Sequence, residues 1–353
     1  MFTPKTITFF LLSLIFLGCK KDPFITPSEI PLTTKGVYVI NEGNFGKENS
    51  TITFYTPDSA KAYQNIFENV NGKKLGDIGN DMIIYDGKGY IVVNNSQKIE
   101  VISLTDNKSV GTLTIPGNKS PYKVAIVNSE KGYVTNLYDN SVTIFNPTTL
   151  SIIKEKVPVG NNPQGILFAN NKIYVCNSGW GNDSTISIID IAKDSVVQTL
   201  VVGRGPTSLG VDSDGEIIVK CYGFEDYVTP ANSIAGNIAV VNPTNNTIVT
   251  TIPLPIDVYG NSGKISLSQF GYGYFLTRNG IVKFDTKTHT ILSNEKILGS
   301  VYSVAIDDAT ENIYVSDAKD YAQDGEVTIH NKNREKVKSF TTGIIPGTIV
   351  FKR

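Results

Sequence analysis

Histidine, cysteine and tryptophan are scarce in this chain of 353 residues, and their scarcity limits the chemistry it can carry out. The two histidines, His289 and His330, lie far apart in sequence, so we expect no histidine-based metal centre or acid–base pair. The three cysteines include no vicinal pair, and the carboxylates form no cluster with metal-ligand spacing. We therefore predict no catalytic residues, no cofactor and no metal.

A surplus of charge of either sign is also absent. Lys and Arg number 32, Asp and Glu number 33, and the two signs are scattered along the chain, which gives a net charge of −1. A nucleic-acid-binding surface needs a basic patch or stripe that can follow phosphates. We therefore expect no nucleic-acid partner.

The N-terminal residues carry a long apolar run. The stretch Ile7–Gly18 reads ITFFLLSLIFLG, follows Lys5 and ends directly before Cys19. It is short for a membrane span, and a lipoprotein signal peptidase cleaves between a small residue and a cysteine. The pattern resembles a bacterial lipobox, with Phe16 in the place where leucine is usual.

This pattern predicts three features before the folded body. Residues 1–18 are a lipoprotein signal peptide, Cys19 carries the lipid anchor, and residues 19–34 form a tether that contains three prolines. The alternatives are an ordinary signal peptide and an uncleaved anchor, and both of them also lead to export.

The rest of the chain is rich in turn residues and in short alternating segments. It contains 31 Gly and 16 Pro, and segments such as STISIIDIA and NSVTIFNP alternate apolar and polar residues with period two, as β-strands do. Seven similar segments recur at intervals of 39 to 57 residues, and their central apolar residues are Val39, Val92, Val134, Val175, Val219, Leu276 and Val315. Most of these intervals match four-stranded propeller blades. We predict an all-β protein, a seven-bladed β-propeller with four-stranded blades, over residues 35–353.

Each end of this region holds an incomplete repeat. The first copy begins at its second strand, GVYVIN, and the last eleven residues, GIIPGTIVFKR, supply a first strand that nothing follows. Pairing these two segments removes both exposed sheet edges. We therefore predict that the C-terminal strand pairs in the first blade and closes the ring. An open solenoid would leave both half-repeats unexplained.

The repeats carry a family resemblance. Tyr133-Val134-Thr135-Asn136, with variants at 174–177 and 314–317, resembles the YVTN signature of YncE-like seven-bladed propellers. The segments VINEGNFG from Val39 and NGKKLGDIGNDMIIYDGKGYIVVNNSQKIEVI from Asn71 are similar to the lipoprotein branch of that family. Its BtuG-type members capture cobalamin at the cell surface and pass it to a TonB-dependent outer-membrane transporter. The resemblance implies an outer-membrane lipoprotein, at the cell surface or on the periplasmic side, with a corrinoid ligand.

Aromatic residues concentrate in the loops that join the second and third strands of the repeats. These residues are Phe45, Tyr138, Trp180, Tyr222, Phe224, Tyr227 and Tyr321. Exposed rings lose free energy in water unless a partner covers them, so we predict that this loop face binds a ligand. The alternative is that each ring folds back over its own blade.

Polar residues at the mouths of these loops are further ligand candidates. They are Asn41, Asn94, Asn136, Asn177, Arg278 and Asp317, each two residues after the central apolar position, and Arg204 in a connection between repeats. Amides there would suit the peripheral amides of a corrinoid, and Arg204 would suit a phosphate. The alternative for the asparagines is that they bond to loop backbone groups.

Two further segments are given structural interpretations. Asp212-Ser213-Asp214-Gly215-Glu216 looks like a calcium loop, but it stands where every repeat has a hairpin turn. Cys176 has no basic partner nearby in sequence, so we expect a packed thiol rather than a nucleophile.

The sequence therefore favours a lipid-anchored binding protein over an enzyme. Two other functions remain open: an envelope scaffold that binds a protein or a glycan, and an exported propeller enzyme such as a lactonase or a quinoprotein-like dehydrogenase.

Overall fold

The computed structural model describes residues 34–254 and 264–353, which form seven four-stranded antiparallel sheets arranged in a ring. This confirms the predicted all-β fold, a seven-bladed β-propeller. The signal peptide over 1–18, Cys19 and nearly all of the tether over 19–34 lie outside the described residues. No helix within residues 34–254 and 264–353 is both long and apolar enough to cross a membrane.

The strands of a blade are lettered a to d from the centre of the ring outward. Blade 1 is formed, in positions b, c and d, by β1 (Gly36–Asn41), β2 (Thr51–Thr56) and β3 (Lys61–Tyr63). Blade 2 is formed, from a to d, by β4 (Gly79–Tyr85), β5 (Lys88–Val93), β6 (Lys98–Ser103) and β7 (Ser109–Thr114). Blade 3 is formed by β8 (Pro121–Asn128), β9 (Lys131–Asn136), β10 (Ser141–Asn146) and β11 (Ser151–Pro158). Blade 4 is formed by β12 (Pro163–Ala169), β13 (Lys172–Asn177), β14 (Thr185–Asp190) and β15 (Ser195–Val201). Blade 5 is formed by β16 (Pro206–Val211), β17 (Ile217–Cys221), β18 (Asn237–Asn242) and β19 (Thr247–Pro253). Blade 6 is formed by β20 (Ile265–Ser268), β21 (Tyr272–Thr277), β22 (Gly280–Asp285) and β23 (Thr290–Leu298). Blade 7 is formed by β24 (Ser303–Asp307), β25 (Asn312–Asp317), β26 (Glu326–His330) and β27 (Lys336–Thr341).

The last strand, β28 (Pro346–Lys352), occupies position a of blade 1. It pairs antiparallel with β1, so that Tyr38 lies opposite Val350 and Val39 lies opposite Ile349. The a strands then contact one another around the whole circle, from β4 through β8, β12, β16, β20 and β24 to β28 and back to β4. The predicted closure of the ring by the C-terminal strand is confirmed.

The hydrophobic core is divided among the junctions between blades. Within the described residues, seven buried clusters each combine side chains from two neighbouring blades, including blades 7 and 1. A b strand is covered on both faces, so every residue of β1 is buried. The outermost strand β15 instead alternates exposed and half-buried residues. Burial therefore falls from the centre of each blade to its rim.

The tyrosine of the repeated motif joins neighbouring blades. The hydroxyl of Tyr38 donates to Asn107 Oδ1 at 2.7 Å, and that of Tyr174 donates to Asn246 Oδ1 at 2.8 Å. Each acceptor lies in the turn between strands c and d of the next blade and has a positive φ. Tyr133 makes the same contact with Asp194 at 2.8 Å. The motif tyrosine therefore buries its ring in one junction and satisfies its hydroxyl in the adjoining turn.

The asparagine of the motif joins strands within a blade. The side-chain nitrogen of Asn136 donates to Ser141 Oγ and Thr143 Oγ1, both at 2.9 Å. Asn41 donates to Thr51 and Thr53, and Asn177 donates to Thr185 and Ser187, in the same arrangement. In each case the two hydroxyls belong to the first and third residues of strand c. The amide therefore fixes the start of strand c against the end of strand b.

A short helix, α1 (Ile66–Asn71), interrupts the β structure between blades 1 and 2. Ile66 and Phe67 enter the cluster shared by these two blades. The helix therefore closes the side of that junction.

Candidate functional site

The antiparallel order of the blades separates two faces of the ring. The b–c loops and the d–a connections emerge on one face, which we call the loop face, and the a–b and c–d turns emerge on the opposite turn face. At the centre lies a cavity of about 310 Å³ to which all seven blades contribute residues. Trp180, from the b–c loop of blade 4, also lines it. The cavity is therefore continuous with the loop face.

One side of the cavity holds a lysine–aspartate pair. Lys123 Nζ lies 2.9 Å from Asp81 Oδ1 and 3.0 Å from the carbonyl oxygen of Asn80. It also donates to Thr348 Oγ1 at 3.3 Å. These contacts join the a strands of blades 1, 2 and 3, and they compensate the charge of Lys123 within the cavity wall.

The other side holds Lys264, Glu42 and Tyr302. Lys264 Nζ lies 3.8 Å from Glu42 Oε1 and 4.7 Å from the centre of the Tyr302 ring, and it donates to the carbonyl of Gly347. Tyr302 donates its hydroxyl to Glu42 Oε2 at 2.8 Å. Burial lowers the pKa of Lys264 to about 8, although the charge of Glu42 opposes this shift. Burial therefore weakens the preference of Lys264 for its charged form.

The loop that carries Trp180 is locally constrained. Residues Gly179–Gly181 form a single 3₁₀ turn, and Trp180 has φ 51°, a left-handed conformation that is costly for a large side chain. Gly181 has φ 86°, and a Cβ there would lie 2.9 Å from the carbonyl oxygen of Gly223. The backbone of this turn is therefore constrained on either side of the Trp180 ring, half of whose surface is exposed.

The predicted aromatic residues separate into two groups. Phe45, Tyr138, Trp180, Tyr227 and Tyr321 are exposed, with relative exposures from 49% to 77%, and they belong to the b–c loops of blades 1, 3, 4, 5 and 7. Tyr222 and Phe224 are half-buried at the base of the blade 5 loop. Tyr321 packs edge-on against Tyr302 at 5.9 Å, which connects the aromatic residues of the loop face to the cavity wall.

The predicted asparagines lie below this surface. Asn41, Asn136 and Asn177 are fully buried and donate to hydroxyls of their own blades, while Asn94 is 7% exposed and donates to the carbonyl of Pro121 at 2.8 Å. This geometry gives the four residues structural roles, but three of them donate to hydroxyls of strand c rather than to the loop backbone groups of the alternative. A ligand contact stays a prediction for these four residues, and we leave them out of the proposed binding surface.

The remaining predicted polar residues contact their neighbours on the loop face. Arg204 donates to the carbonyl of Asn182 at 3.2 Å and lies 5.9 Å from the centre of the Phe224 ring. Arg278 forms an ion pair with Glu225. Asp317 accepts from Ser300 Oγ at 2.9 Å. The arginines and the aspartate therefore stabilise the loops that surround the cavity.

Apart from Trp180, the residues that line the cavity are not among the predicted site residues. Seven of them occupy a recurrent position, a polar or small residue directly before an apolar residue near the start of strand a. The series is Asp81, Lys123, Gly165, Ser208, Lys264, Ser303 and Thr348. Alignment of the a strands alone would reveal this position, but the pairing of its charges depends on closure of the ring.

Two predicted features, the packed thiols and the turn at Asp212, lie away from the cavity, together with one group of side chains that was not predicted. Cys176 and Cys221 are free and buried, and burial raises the pKa of Cys221 to about 12, as expected for packed thiols. Asp212 begins a hairpin turn, in agreement with its structural interpretation. Among the described residues, Asp212, Glu216 and His289 come together as a group of metal-ligand type on the turn face.

Comparisons with known proteins agree with the fold. A family model described as a domain of unknown function, DUF5074, matches residues 35–342. A comparison with curated proteins finds no match. The solved structures that resemble this chain include a quinonprotein alcohol dehydrogenase-like protein from Bacteroides thetaiotaomicron, which is 15% identical with a TM-score of 0.70 over 90% of this chain and 78% of that one.

Two other solved structures have a similar TM-score of 0.67. One is a putative 6-phosphogluconolactonase from Bacteroides fragilis, 13% identical, over 94% of this chain and all of that one. The other is a protein from Lactobacillus plantarum, 10% identical, over 91% of this chain and all of that one. At these identities the likeness shows the propeller fold alone.

Proposed function

Because the chain belongs to the DUF5074 family, whose description assigns no activity, we propose from its own geometry that it is a binding protein that captures a ligand on its loop face. The observation that carries this proposal is the position of Trp180. This residue is half exposed, it is held in a costly left-handed conformation, and it lines the central cavity. A large exposed ring fixed at the edge of a cavity is typical of a binding hot spot.

The surrounding groups favour a large ligand that bears amides. Exposed aromatic side chains from five blades lie on the loop face, and one of them, Trp180, lines the cavity. The cavity volume of about 310 Å³ admits a side group rather than a whole macrocycle. A corrin ring would lie across the loop face against these aromatic residues. One of its amide arms would enter the cavity, where Glu42 accepts hydrogen bonds and Lys264 donates them. Cobalamin or a related corrinoid is therefore our first candidate, in line with the resemblance to BtuG-type proteins.

The N-terminal pattern supports a place for this function in the cell envelope. A lipid on Cys19 would hold the propeller at the outer membrane, where a TonB-dependent transporter could receive the ligand. Replacement of Cys19 with Ser should release the protein from the membrane fraction in a cell-fractionation experiment. A variant that stays with the membrane would contradict lipid attachment at Cys19.

The ligand proposal is tested by titrating the purified protein with cyanocobalamin and following the corrin absorbance. We expect saturable binding at micromolar concentrations or below, and we expect Trp180→Ala to weaken it by roughly tenfold or more, as for a central aromatic contact. Phe270→Ala is a matched control, since Phe270 is also 50% exposed but lies in an a–b turn on the turn face. This control should bind as the wild type does.

The other outcomes separate the competing functions. Wild-type affinity in Trp180→Ala would mean that the loop face is not the binding site. An unchanged corrin spectrum, with no co-migration in gel filtration, would remove the corrinoid and favour an envelope scaffold for a protein or a glycan.

An enzyme is the second candidate, because Lys264 has a lowered pKa beside Tyr302 and Glu42. We propose binding without turnover, so 6-phosphogluconolactone should not be hydrolysed. Hydrolysis that is lost in Lys264→Met would overturn that part of the proposal.

A further inference from the structure

Three side chains that commonly bind metals meet at the junction of blades 5 and 6, on the turn face. Asp212 and Glu216 belong to the a–b turn of blade 5, and His289 belongs to the c–d turn of blade 6. One donor atom from each residue lies within 4.8 Å of the donor atoms of the other two. His289 Nε2 lies 2.9 Å from Glu216 Oε2. The group is separate from the loop face, because it lies on the opposite side of the ring.

The carboxylate of Asp212 is only half satisfied. Its Oδ1 accepts from the backbone nitrogens of Asp214 and Glu216, at 3.0 and 2.9 Å. Its Oδ2 is buried and has no hydrogen-bond partner among the described residues, although Asp212 as a whole is only 7% exposed. A buried carboxylate oxygen without a partner is costly, and it needs either a donor or a cation. In the same group, Glu216 offers a second carboxylate and His289 offers an imidazole.

The repeat pattern changes at this junction. At three other junctions, the motif tyrosine of one blade donates to Asn107, Asp194 or Asn246 in the c–d turn of the next blade. His289 occupies the same turn position, with φ 54°. The preceding blade has Ile218 at the tyrosine position, and Ile218 cannot donate a hydrogen bond. His289 therefore does not accept the bond that this position accepts elsewhere, and its imidazole contacts Glu216 of the a–b turn instead.

We propose that Asp212, Glu216 and His289 form a binding site for a divalent first-row transition cation, with Zn²⁺ as the best match. Zinc accepts both carboxylate oxygens and imidazole nitrogens as ligands, and at sites with three protein ligands water or an external donor completes its tetrahedral coordination. Calcium and magnesium prefer oxygen ligands throughout, so the imidazole disfavours them. A bound cation would connect the turns of two blades where the tyrosine contact is missing.

The site is tested on the untagged, full-length protein, because a histidine tag would add competing ligands. After treatment with a chelator and buffer exchange, the protein is titrated with ZnCl₂ by calorimetry, and retained zinc is measured after dialysis. We expect one zinc per chain, bound with micromolar affinity or better. CaCl₂ and MgCl₂ at the same concentrations should give no comparable binding.

Two variants assign the ligands, and a third provides the control. Asp212→Asn keeps the Oδ1 acceptor of the turn but removes the charge, so it should weaken zinc binding at least tenfold while the metal-free protein keeps its melting temperature. His289→Gln should have a similar effect on binding. Asp214→Asn makes the same change at an exposed carboxylate two residues away, and it should bind zinc as the wild type does.

Several results would overturn the inference. They are the absence of zinc binding at micromolar concentrations, wild-type zinc affinity in both Asp212→Asn and His289→Gln, and calcium or magnesium binding as tight as zinc binding. A loss of binding in Asp214→Asn equal to that in Asp212→Asn would show a response to net charge rather than a defined site. Because these readouts do not involve the loop face, the corrinoid proposal can fail without affecting them.

Discussion

At the scale of single residues, the repeated motif is explained by the contacts of its first and last members. The tyrosine places its ring between two blades and its hydroxyl in the next turn, and the asparagine fixes strand c within a blade. Both side chains are buried, which is why the motif is informative about fold and uninformative about ligand. The residues that contact the cavity or the solvent on the loop face, such as Trp180 and Lys264, lie outside it.

Tyr133 provides the test of the contact between blades. Tyr133→Phe keeps the ring in its cluster but removes the hydroxyl that donates to Asp194. Asp194 retains Lys131 as a partner, so we expect the free energy of unfolding to fall by about 1 kcal/mol. Urea denaturation would measure this as a lower midpoint with an unchanged slope. Tyr138→Phe, at an exposed tyrosine, is the control and should leave the midpoint unchanged. Equal midpoints for Tyr133→Phe and the wild type would mean that this hydrogen bond does not stabilise the junction.

At the scale of single elements, β28 has a role that no other strand has, because it joins the two ends of the described chain. Its residues Ile349, Val350 and Phe351 pack against the clusters on either side of blade 1. Their loss would remove burial worth on the order of 5 kcal/mol and would leave β1 with an unpaired edge. We therefore expect a chain that ends at Ile345 to melt at a much lower temperature than the full-length protein.

A synthetic peptide tests whether pairing with β1 is the cause. A peptide of residues 346–353 should raise the melting temperature of the shortened chain in a saturable manner, as strand addition at a sheet edge does. The same peptide with Val350→Pro cannot donate a backbone hydrogen bond at the residue opposite Tyr38, and it should have a weaker effect. A rescue of equal size by both peptides would show that hydrophobic contact, rather than strand pairing, restores stability.

At the scale of the whole molecule, the blades can be predicted from the sequence, but the side-chain contacts between residues of different blades cannot. The repeat of Val134 and Val175 and the alternation around them depend on local periodicity, and the structure confirms both the blades and their closure. The cavity charges depend on residues from different repeats, since Lys264 meets Glu42 only after the ring has closed. The contact between Glu216 and His289 likewise spans 73 residues, and no local spacing indicates it.

The same arrangement predicts how stability is distributed across the ring. Every residue of β1 and β17 is buried, and each of these b strands is bonded to a strand on both sides, whereas β15 and β27 are largely exposed and are bonded on one side only. An outer strand contributes few buried side chains to the adjoining clusters, such as Phe340 of β27, so it can separate with less loss of packing. A b strand can open only when the junctions on both of its faces are lost.

Hydrogen exchange followed by mass spectrometry would measure this difference. Amides of d strands that are bonded to strand c should exchange roughly tenfold or more faster than amides of b strands, because local opening of an edge requires less free energy than global unfolding. The same order should hold in all seven blades, since each contains one outer strand and one strand in position b. Equal protection of β1 and β15 would contradict this expectation, and it would mean that the ring opens only as a single cooperative unit in which the d strands are held as firmly as the b strands.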